Sequence, residues 1–447
     1  MKILQITAGT GNFYCGVCLR DHALVKTLRG LGHDAMLMPV YLPHVIEEPV
    51  ENKSEHLFLG GLNVYLQQKY SLFRKTPAWV DGLFDSPALL RFFSRRAGST
   101  RASELGELTI SMLRGEEGRQ VKEIRKLMAW LKTHFRPDVV VLSNALLVGL
   151  TRPLKTELQV PVVCTLQGED GFLDALPQPH CDEAWKTLIA RSLEVDRFIA
   201  VSHYFGEVME RRLGIPRDRV DVVYNGISLE GFEPAENPPD PPVLGYLARM
   251  CAAKGLHILV DAFIELKKRD RIKGLKLRVA GAKTECDEAF VSDQQKKLAN
   301  AGLASSAEFL PNLDRKAKQD FLRSLTIFSV PANYGEAFGL YLLESLACGV
   351  PVVQPNLAAF PELVQATGGG ATYQPNEPAP LADAIEELFQ NPAKMKKCST
   401  RGREVVKRDF TVIEMAEGVE RVLDKLVRDT TTVQRTAIHR TGGIQKP

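Results

Sequence analysis

Residues 2–11 read KILQITAGTG, a short apolar run that ends in a glycine-rich triplet, Gly9-Thr10-Gly11. A helical stretch follows as far as Arg29, and after the segment GLGHD (30–34) comes a second apolar run, AMLMPVY (35–41). The order is strand, glycine-rich turn, helix and strand. Such a unit predicts an α/β domain built on a parallel sheet.

The same alternation continues along the chain in two blocks. Apolar runs predict strands at 137–143, 161–166, 196–202 and 220–225, and then at 243–248, 275–281, 326–331 and 350–355. Between the blocks lies PAENPPDPP (234–242), whose prolines suit a linker. We therefore predict a domain over 1–233, a linker over 234–242, a second doubly wound domain over 243–411, a helix over 412–428 and an unstructured tail over 429–447. Tandem sheets of this kind usually bind ligands at the carboxyl ends of their strands, so we expect a cleft between the domains to hold the site.

Composition excludes several classes of protein. Hydrophobic residues make up 45% of the 447 residues, which excludes a disordered chain, and 57 basic against 54 acidic residues leave a net charge of only +3, which argues against nucleic acid as a partner. No apolar run reaches 18 residues and the first ten residues lack the features of a secretory signal, so we expect a cytoplasmic protein. The eight scattered cysteines fit reduced thiols.

The segment YGEAFGLYLLE (334–344) carries two glutamates in an E-x7-E pattern, Glu336 and Glu344. A helix that begins near Phe338 would expose the amides of Phe338, Gly339 and Leu340 to an anion. Glu344 would lie roughly 9 Å further along, so the two carboxylates could hold hydroxyls at separate points of a nucleotide sugar. The alternative is a loop glutamate and an exposed helical glutamate without a ligand.

The segment RMCAAKG (249–255) directly follows the first strand of the second block. Arg249 and Lys254 could together neutralise a departing diphosphate. The alternative is a pair of solvated surface charges. The sequence has no D-x-D or other metal-ligand cluster, so we expect neither a metal nor another cofactor, and leaving-group stabilisation would depend on these two cations.

Together, GYLARMCAAKG (245–255), LKLRVAG (275–281), the E-x7-E segment, ACGVPVV (347–353) and VVYNGISLEGF (222–232) resemble the retaining glycosyltransferases of family 4. The resemblance implies the GT-B fold, with two facing Rossmann-like domains, a nucleotide-sugar donor on the second and a hydroxyl acceptor on the first. It also implies catalytic roles for Arg249 and Lys254 on the diphosphate and for Glu336 on the donor sugar, with Glu344 on the ribose. The backbone near 311–313 is similar to the family's base slot.

The first domain matches the family less completely. Gly11 belongs to a loop that resembles the family's glycine-rich donor-binding loop. Gln167 stands where the family usually has histidine, and it can hydrogen-bond a sugar hydroxyl but cannot exchange protons. We also regard Arg20 and His22 as candidate acceptor contacts, and Asp170 as a substitute polar contact.

Two features lie outside the family pattern. Cys15 and Cys18 form a C-x-x-C that could support redox chemistry, supply two zinc ligands or simply pack the first helix. Residues 69–101 combine seven basic and two acidic residues with many aromatic ones, which fits either peripheral contact with the inner face of a membrane or an ordinary helical insertion.

The sequence therefore predicts a metal-independent, retaining hexosyltransferase that transfers a sugar from a nucleotide diphosphate to a hydroxyl acceptor, in glycan, exopolysaccharide or glycolipid synthesis. The alternative is a non-catalytic relative that binds nucleotide sugars. A nicotinamide-dependent oxidoreductase is disfavoured because Tyr14 stands at the third glycine of G-x-G-x-x-G and the second strand ends without an acid.

Overall fold

The computed structural model describes residues 1–9, 16–41 and 102–441, with the side chains of 102–104 and 431–441 excepted. The chain forms two compact units. The first comprises Met1–Val201, Phe205–Val223 and Met415–Pro447, and the second comprises Ser202–Tyr204 and Tyr224–Glu414. Residues 224–233, which the sequence assigned to the first domain, thus belong to the second unit, and the proline-rich segment 234–242 contains no helix or strand.

The first unit is built on a six-stranded parallel sheet in the order β2-β1-β3-β4-β5-β6. Its strands are β1 (Lys2–Thr7), β2 (Asp34–Pro39), β3 (Val139–Leu142), β4 (Val162–Leu166), β5 (Arg197–Ala200) and β6 (Val220–Val222). The helices are α1 (Gly16–Gly30), α2 (Ala102–Arg114), α3 (Val121–His134), α4 (Asp170–Asp174), α5 (His180–Ser192) and α6 (His203–Leu213), with short helical turns over 145–158. Every residue of β3 and β4 is buried, as expected for strands covered on both faces.

The second unit repeats this design with the strand order β12-β11-β10-β7-β8-β9. Its strands are β7 (Val243–Leu247), β8 (Lys276–Gly281), β9 (Ala307–Pro311), β10 (Ile327–Phe328), β11 (Val352–Pro355) and β12 (Gly370–Tyr373). Its helices are α7 (Leu256–Arg269), α8 (Glu288–Asn300), α9 (Arg315–Arg323), α10 (Leu340–Ala347), α11 (Phe360–Thr367), α12 (Pro378–Gln390) and α13 (Pro392–Asp409). The two parallel sheets with helices confirm the predicted α/β class.

The last helix, α14 (Val412–Thr441), belongs to the first unit from Met415 onward. There the Nε2 atom of His33 lies 2.8 Å from Oε1 of Glu420. The sequence predicted an unstructured tail from residue 429, but the helix continues to Thr441. Neither proline nor glycine occurs between Gly418 and Gly442, so the chain contains no residue that would end the helix earlier.

No helix in the described ranges is both long enough and apolar enough to cross a membrane. The basic and aromatic segment 69–101 lies outside the described residues, so its proposed membrane contact remains a prediction.

Candidate functional site

The topology of the second unit creates one obvious ligand position. The chain leaves β7 toward β8 on one side of the sheet, and β10 pairs with β7 on the other side. Such a switch point opens a crevice beyond the carboxyl ends of the two strands, where α/β proteins bind ligands. Arg249 and Lys254 follow β7, and Glu336 follows β10, so all three predicted catalytic residues lie in the loops at this point.

A glycine allows the two loops to approach each other. Lys254 ends a 3-10 turn, Ala252–Lys254, and Gly255 directly precedes α7 with a φ of +71°. A Cβ atom at Gly255 would lie 1.8 Å from the carbonyl oxygen of Pro331, so only glycine fits against the loop after β10. The amide of Asn333 also donates to the carbonyl of Ala253 at 3.1 Å. These backbone contacts place Lys254 beside the E-x7-E segment.

Lys254 and Glu336 form the centre of the site. The Nζ atom of Lys254 lies 2.6 Å from Oε2 of Glu336 and also donates to the hydroxyl of Tyr334. Tyr341 donates to the same Oε2 at 2.8 Å, and Tyr334 does so at 3.2 Å. The lysine and glutamate side chains are 20% and 14% exposed, so this ion pair is largely shielded from water.

The charges of this pair support each other. Burial alone raises the pKa of Glu336, but the ammonium of Lys254 and the hydrogen bonds from Lys254, Tyr341 and Tyr334 outweigh it and hold the pKa below its ordinary value. Burial lowers the pKa of Lys254, but Glu336 outweighs that effect and leaves it above its ordinary value. Both groups are therefore charged at neutral pH.

Arg249 is oriented by a carboxylate that the sequence analysis did not single out. Its Nε and Nη2 atoms donate to Oδ2 and Oδ1 of Asp287 at 3.2 and 3.1 Å. Asp287 is 5% exposed, and Thr284 donates to it from both its amide and its hydroxyl. Burial raises the pKa of Asp287, but the bonds from Thr284 and Arg249 lower it overall. The arginine side chain itself is 54% exposed, so an anchored guanidinium faces solvent.

Glu344 also has a lysine partner. Nζ of Lys318, on α9, lies 2.6 Å from Oε1 of Glu344, on α10. The two side chains are only 11% and 15% exposed, and the same Nζ lies 5.6 Å from the ring centroid of Phe232. Each glutamate of the E-x7-E segment thus has one oxygen bound to a lysine.

The start of α10 provides unpaired amides, although the helix begins at Leu340, two residues later than the sequence predicted. Gly339 precedes the helix with a φ of +95°, and no side chain caps this end. Among the residues that the structure describes, none accepts a hydrogen bond from the amides of Phe338, Gly339 or Leu340. These donors and the helix dipole favour an anion near the Lys254–Glu336 pair.

In the first unit, Gln167 and Glu169 follow β4. The Nε2 atom of Gln167 donates to the carbonyl of Ser143 at 2.6 Å, which fixes the orientation of the amide, because that carbonyl can only accept. Glu169 is buried and accepts the amides of Gln167 and Ala145 at 2.7 and 3.1 Å. Burial raises the pKa of Glu169 to about 7, although these amides oppose the rise. Burial also raises the pKa of Asp170, whose Oδ2 lies 4.0 Å from Nη1 of Arg212.

The remaining candidates of the first unit lie in or near α1. Arg20 is 3% exposed, and its Nη1 donates to Asp21 at 3.0 Å, so its guanidinium lies in the interior. His22 is half-buried. Cys18 is buried, with its Sγ 3.8 Å from Oγ1 of Thr7. Gly11 and Cys15 lie outside the described residues. Within the described part of the chain no three His, Cys, Asp or Glu side chains group as metal ligands would.

Family models and curated proteins match most of the chain. The family model of the Glycosyltransferase Family 4 matches residues 91–230, and that of the Glycosyl transferases group 1 matches residues 230–405. D-inositol 3-phosphate glycosyltransferase 1 of Catenulispora acidiphila is 28% identical over 366 residues, which cover 75% of this chain and 84% of that protein. Glycogen synthase of Mycobacterium tuberculosis is 26% identical over 302 residues, which cover 66% of this chain and 69% of that protein.

Solved structures show the same fold. Sucrose-phosphate synthase from Thermosynechococcus elongatus superposes with a TM-score of 0.68 at 16% identity, over 96% of this chain and 99% of that one. Anabaena HepE, solved in complex with UDP, superposes with a TM-score of 0.65 at 15% identity, over 95% of this chain and 100% of that one. The motifs, the two parallel sheets and the family matches lead to one conclusion: the chain belongs to glycosyltransferase family 4 and is a glycosyltransferase of the GT-B fold.

Proposed function

We propose that this glycosyltransferase transfers a hexose from a nucleoside-diphosphate sugar to a hydroxyl acceptor, with retention at the anomeric carbon and without a metal ion. The observation that carries the proposal is the Lys254–Glu336 ion pair at the switch point between β7 and β10. A cation suited to a diphosphate thus lies next to a carboxylate suited to a sugar hydroxyl. HepE has been solved with UDP and with UDP-glucose, which supports a nucleotide-sugar donor here as well.

The side chains of the site have binding capacity left for a ligand. The ammonium of Lys254 has three N–H donors and uses two, on Tyr334 and Glu336. The guanidinium of Arg249 has five and directs two at Asp287. The structure describes no acceptor for the remaining donors. Together with the amides that precede α10, they form a set of donors suited to a diphosphate.

The chemistry follows from this charge distribution. The bond between the anomeric carbon and the diphosphate oxygen breaks, and its electron pair stays on the diphosphate, whose growing negative charge Arg249 and Lys254 stabilise. The acceptor oxygen forms the new bond to the anomeric carbon on the same face. Its proton passes to the departing phosphate oxygen, so no protein base is required. The carboxylate of Glu336 holds a hydroxyl of the donor sugar, and that of Glu344 holds a ribose hydroxyl.

The acceptor is assigned to the first unit, with Gln167 as one contact. One of the two N–H donors of its Nε2 is used on Ser143, which leaves the second donor and the acceptor oxygen Oε1 for a hydroxyl of the ligand. A cytoplasmic location and contact with a membrane through residues 69–101 are further parts of the proposal. The latter is tested by the loss of vesicle binding when the arginines of that segment are replaced.

Thermal denaturation with UDP, GDP, ADP and NAD in the presence of EDTA tests the donor site. One nucleoside diphosphate at about 100 times its dissociation constant should stabilise the protein by about 2.7 kcal/mol. Lys254→Ala should abolish that shift, whereas Lys268→Ala, at an exposed position of α7, should keep it. A shift that appears only with Mg²⁺ would contradict metal independence. Stabilisation without donor hydrolysis or sugar transfer would favour a non-catalytic binding role.

A further inference from the structure

The two oxygens of the Glu336 carboxylate have different surroundings. Oε2 accepts hydrogen bonds from Lys254, Tyr341 and Tyr334 at 2.6, 2.8 and 3.2 Å. Oε1 has no partner among the described residues, and it is not one of the buried polar atoms that lack a hydrogen bond. One oxygen is therefore occupied by the protein, and the other is open to a ligand.

Of the three donors to Oε2, the hydroxyl of Tyr341 is the most firmly placed. Tyr341 is the second residue of α10, and its ring lies between Phe328 and Phe360, with centroid distances of 6.1 and 6.5 Å. Lys254 reaches Oε2 through a flexible side chain, and Tyr334 does so from the loop that precedes the helix. A half-buried aromatic ring that sits on a helix and contacts two other rings has little freedom, so its hydroxyl defines where Oε2 must lie.

We propose that Tyr341 is a positioning residue of the donor site: its hydroxyl holds Oε2 of Glu336 inward and thereby presents Oε1 alone to a single hydroxyl of the donor sugar. This inference rests on the proposed function, because it assumes a sugar at Glu336. It also predicts a selectivity among donor sugars. A carboxylate with one open oxygen holds one hydroxyl firmly, so the enzyme should discriminate at one carbon of the sugar.

Tyr341→Phe tests the inference, because it removes the hydroxyl and keeps the ring between Phe328 and Phe360. The probes are the nucleoside diphosphate that stabilises the wild type and the corresponding nucleotide sugar. The variant should bind the diphosphate within about twofold of the wild type. Its kcat/KM for the nucleotide sugar should fall by about 10-fold or more, the usual consequence of losing a hydrogen bond to a charged group.

The pH profile provides a readout that a purely structural role would not change. The groups that face Glu336 are Lys254 from the loop after β7, Tyr334 from its own loop and Tyr341 from α10. Each hydrogen bond to the carboxylate lowers the pKa of Glu336, so removing one raises it. The acidic limb of kcat/KM, where Glu336 becomes protonated, should therefore move to higher pH in Tyr341→Phe.

Tyr373→Phe is the matched control. Its hydroxyl donates to Oδ1 of Asn376 at 2.7 Å, and Asn376 in turn donates to the carbonyls of Pro331 and Ala332, so this variant loses a hydrogen bond that supports the loop after β10 without touching Glu336; its pH profile should match that of the wild type. Wild-type kinetics and an unshifted pH profile in Tyr341→Phe would overturn the inference alone. An equal loss of diphosphate and nucleotide-sugar binding would also overturn it. A wild type that binds no nucleoside diphosphate or nucleotide sugar would instead remove the proposed function and this inference with it.

Discussion

Replacing both members of the Lys254–Glu336 pair should reveal how strongly they interact. The change is a double-mutant cycle with Lys254→Met and Glu336→Gln, which approximately keep side-chain volume. The charged atoms lie 2.6 Å apart, and both side chains are at most 20% exposed, so each single variant leaves a shielded charge without its main partner. We expect a coupling energy of about 1–3 kcal/mol.

The assay is thermal or urea unfolding of the four proteins without ligand. A domain of this size loses about 2–4 °C of melting temperature per kcal/mol, so each single variant should melt several degrees below the wild type. The double variant should be more stable than the sum of the two single effects predicts. Additive effects, with a coupling below about 0.5 kcal/mol, would refute the reasoning and mean that Lys254 and Glu336 interact no more strongly than solvated surface charges do.

The stability that the Lys254–Glu336 pair contributes should decrease in acid. Lys254 lowers the pKa of Glu336 in the folded protein. The free energy of unfolding that the ion pair contributes is therefore fully present above the pKa of an unfolded glutamate, about 4.3, and it is lost as pH falls through the lower pKa of the folded protein. The difference in stability between wild type and Lys254→Met should therefore be constant near neutral pH and shrink below about pH 4. A difference that persists in acid would mean that methionine acts through packing.

Two further predictions concern the carboxylates that the sequence did not mark as functional. Asp287→Asn should weaken binding of the nucleoside diphosphate by about three- to tenfold, measured by calorimetry, because it removes the charge that orients the half-exposed Arg249. The control is Asp320→Asn, in the exposed Asp320–Arg323 pair, which should not change diphosphate binding. Burial raises the folded-state pKa of Glu169 to about 7, so the stability that its protonated form contributes is complete below the unfolded pKa and is lost as pH rises through the folded one. Glu169→Gln should therefore flatten the fall in the free energy of unfolding between about pH 5 and 7, and an unchanged slope in urea unfolding would contradict that assignment.

The strands that the sequence missed are explained by their positions. Of the twelve strands in the described part of the chain, apolar runs identified ten, but not β9 and β12, which form the two edges of the second sheet. Their sequences, AEFLP and GATY, keep several residues partly exposed, because an edge strand has fewer neighbours to cover it. The edge strands of the first sheet, β2 and β6, were nevertheless found, because they lie in longer apolar runs, AMLMPVY and VDVVY, which β9 and β12 lack.

The sequence predicted the site residues that lie close together in one segment or directly follow a recognisable strand. Glu336, Glu344 and the amides before α10 lie in eleven consecutive residues, and Lys254 follows a strand that periodicity identifies. Tyr341 lies in the same segment and was missed, because a tyrosine among apolar helix residues is more often part of the core. Its ring is indeed packed between aromatic residues, and only the position of its hydroxyl, 2.8 Å from Glu336, distinguishes it.

Asp287 and Lys318 could not have been found in this way. Asp287 is 38 residues from Arg249, and Lys318 is 26 residues from Glu344, so no local pattern links either residue to its partner. Each pairing depends on how neighbouring elements of the second unit pack. Four charged residues of the site are each held by an opposite charge and keep part of their hydrogen-bonding capacity for a ligand: Arg249, Lys254, Glu336 and Glu344. A shielded ion pair that served only to stabilise the fold would be more stable with all of its hydrogen-bond donors and acceptors paired within the protein. The unused donors and oxygens therefore favour a ligand-binding site over a purely structural network of charges.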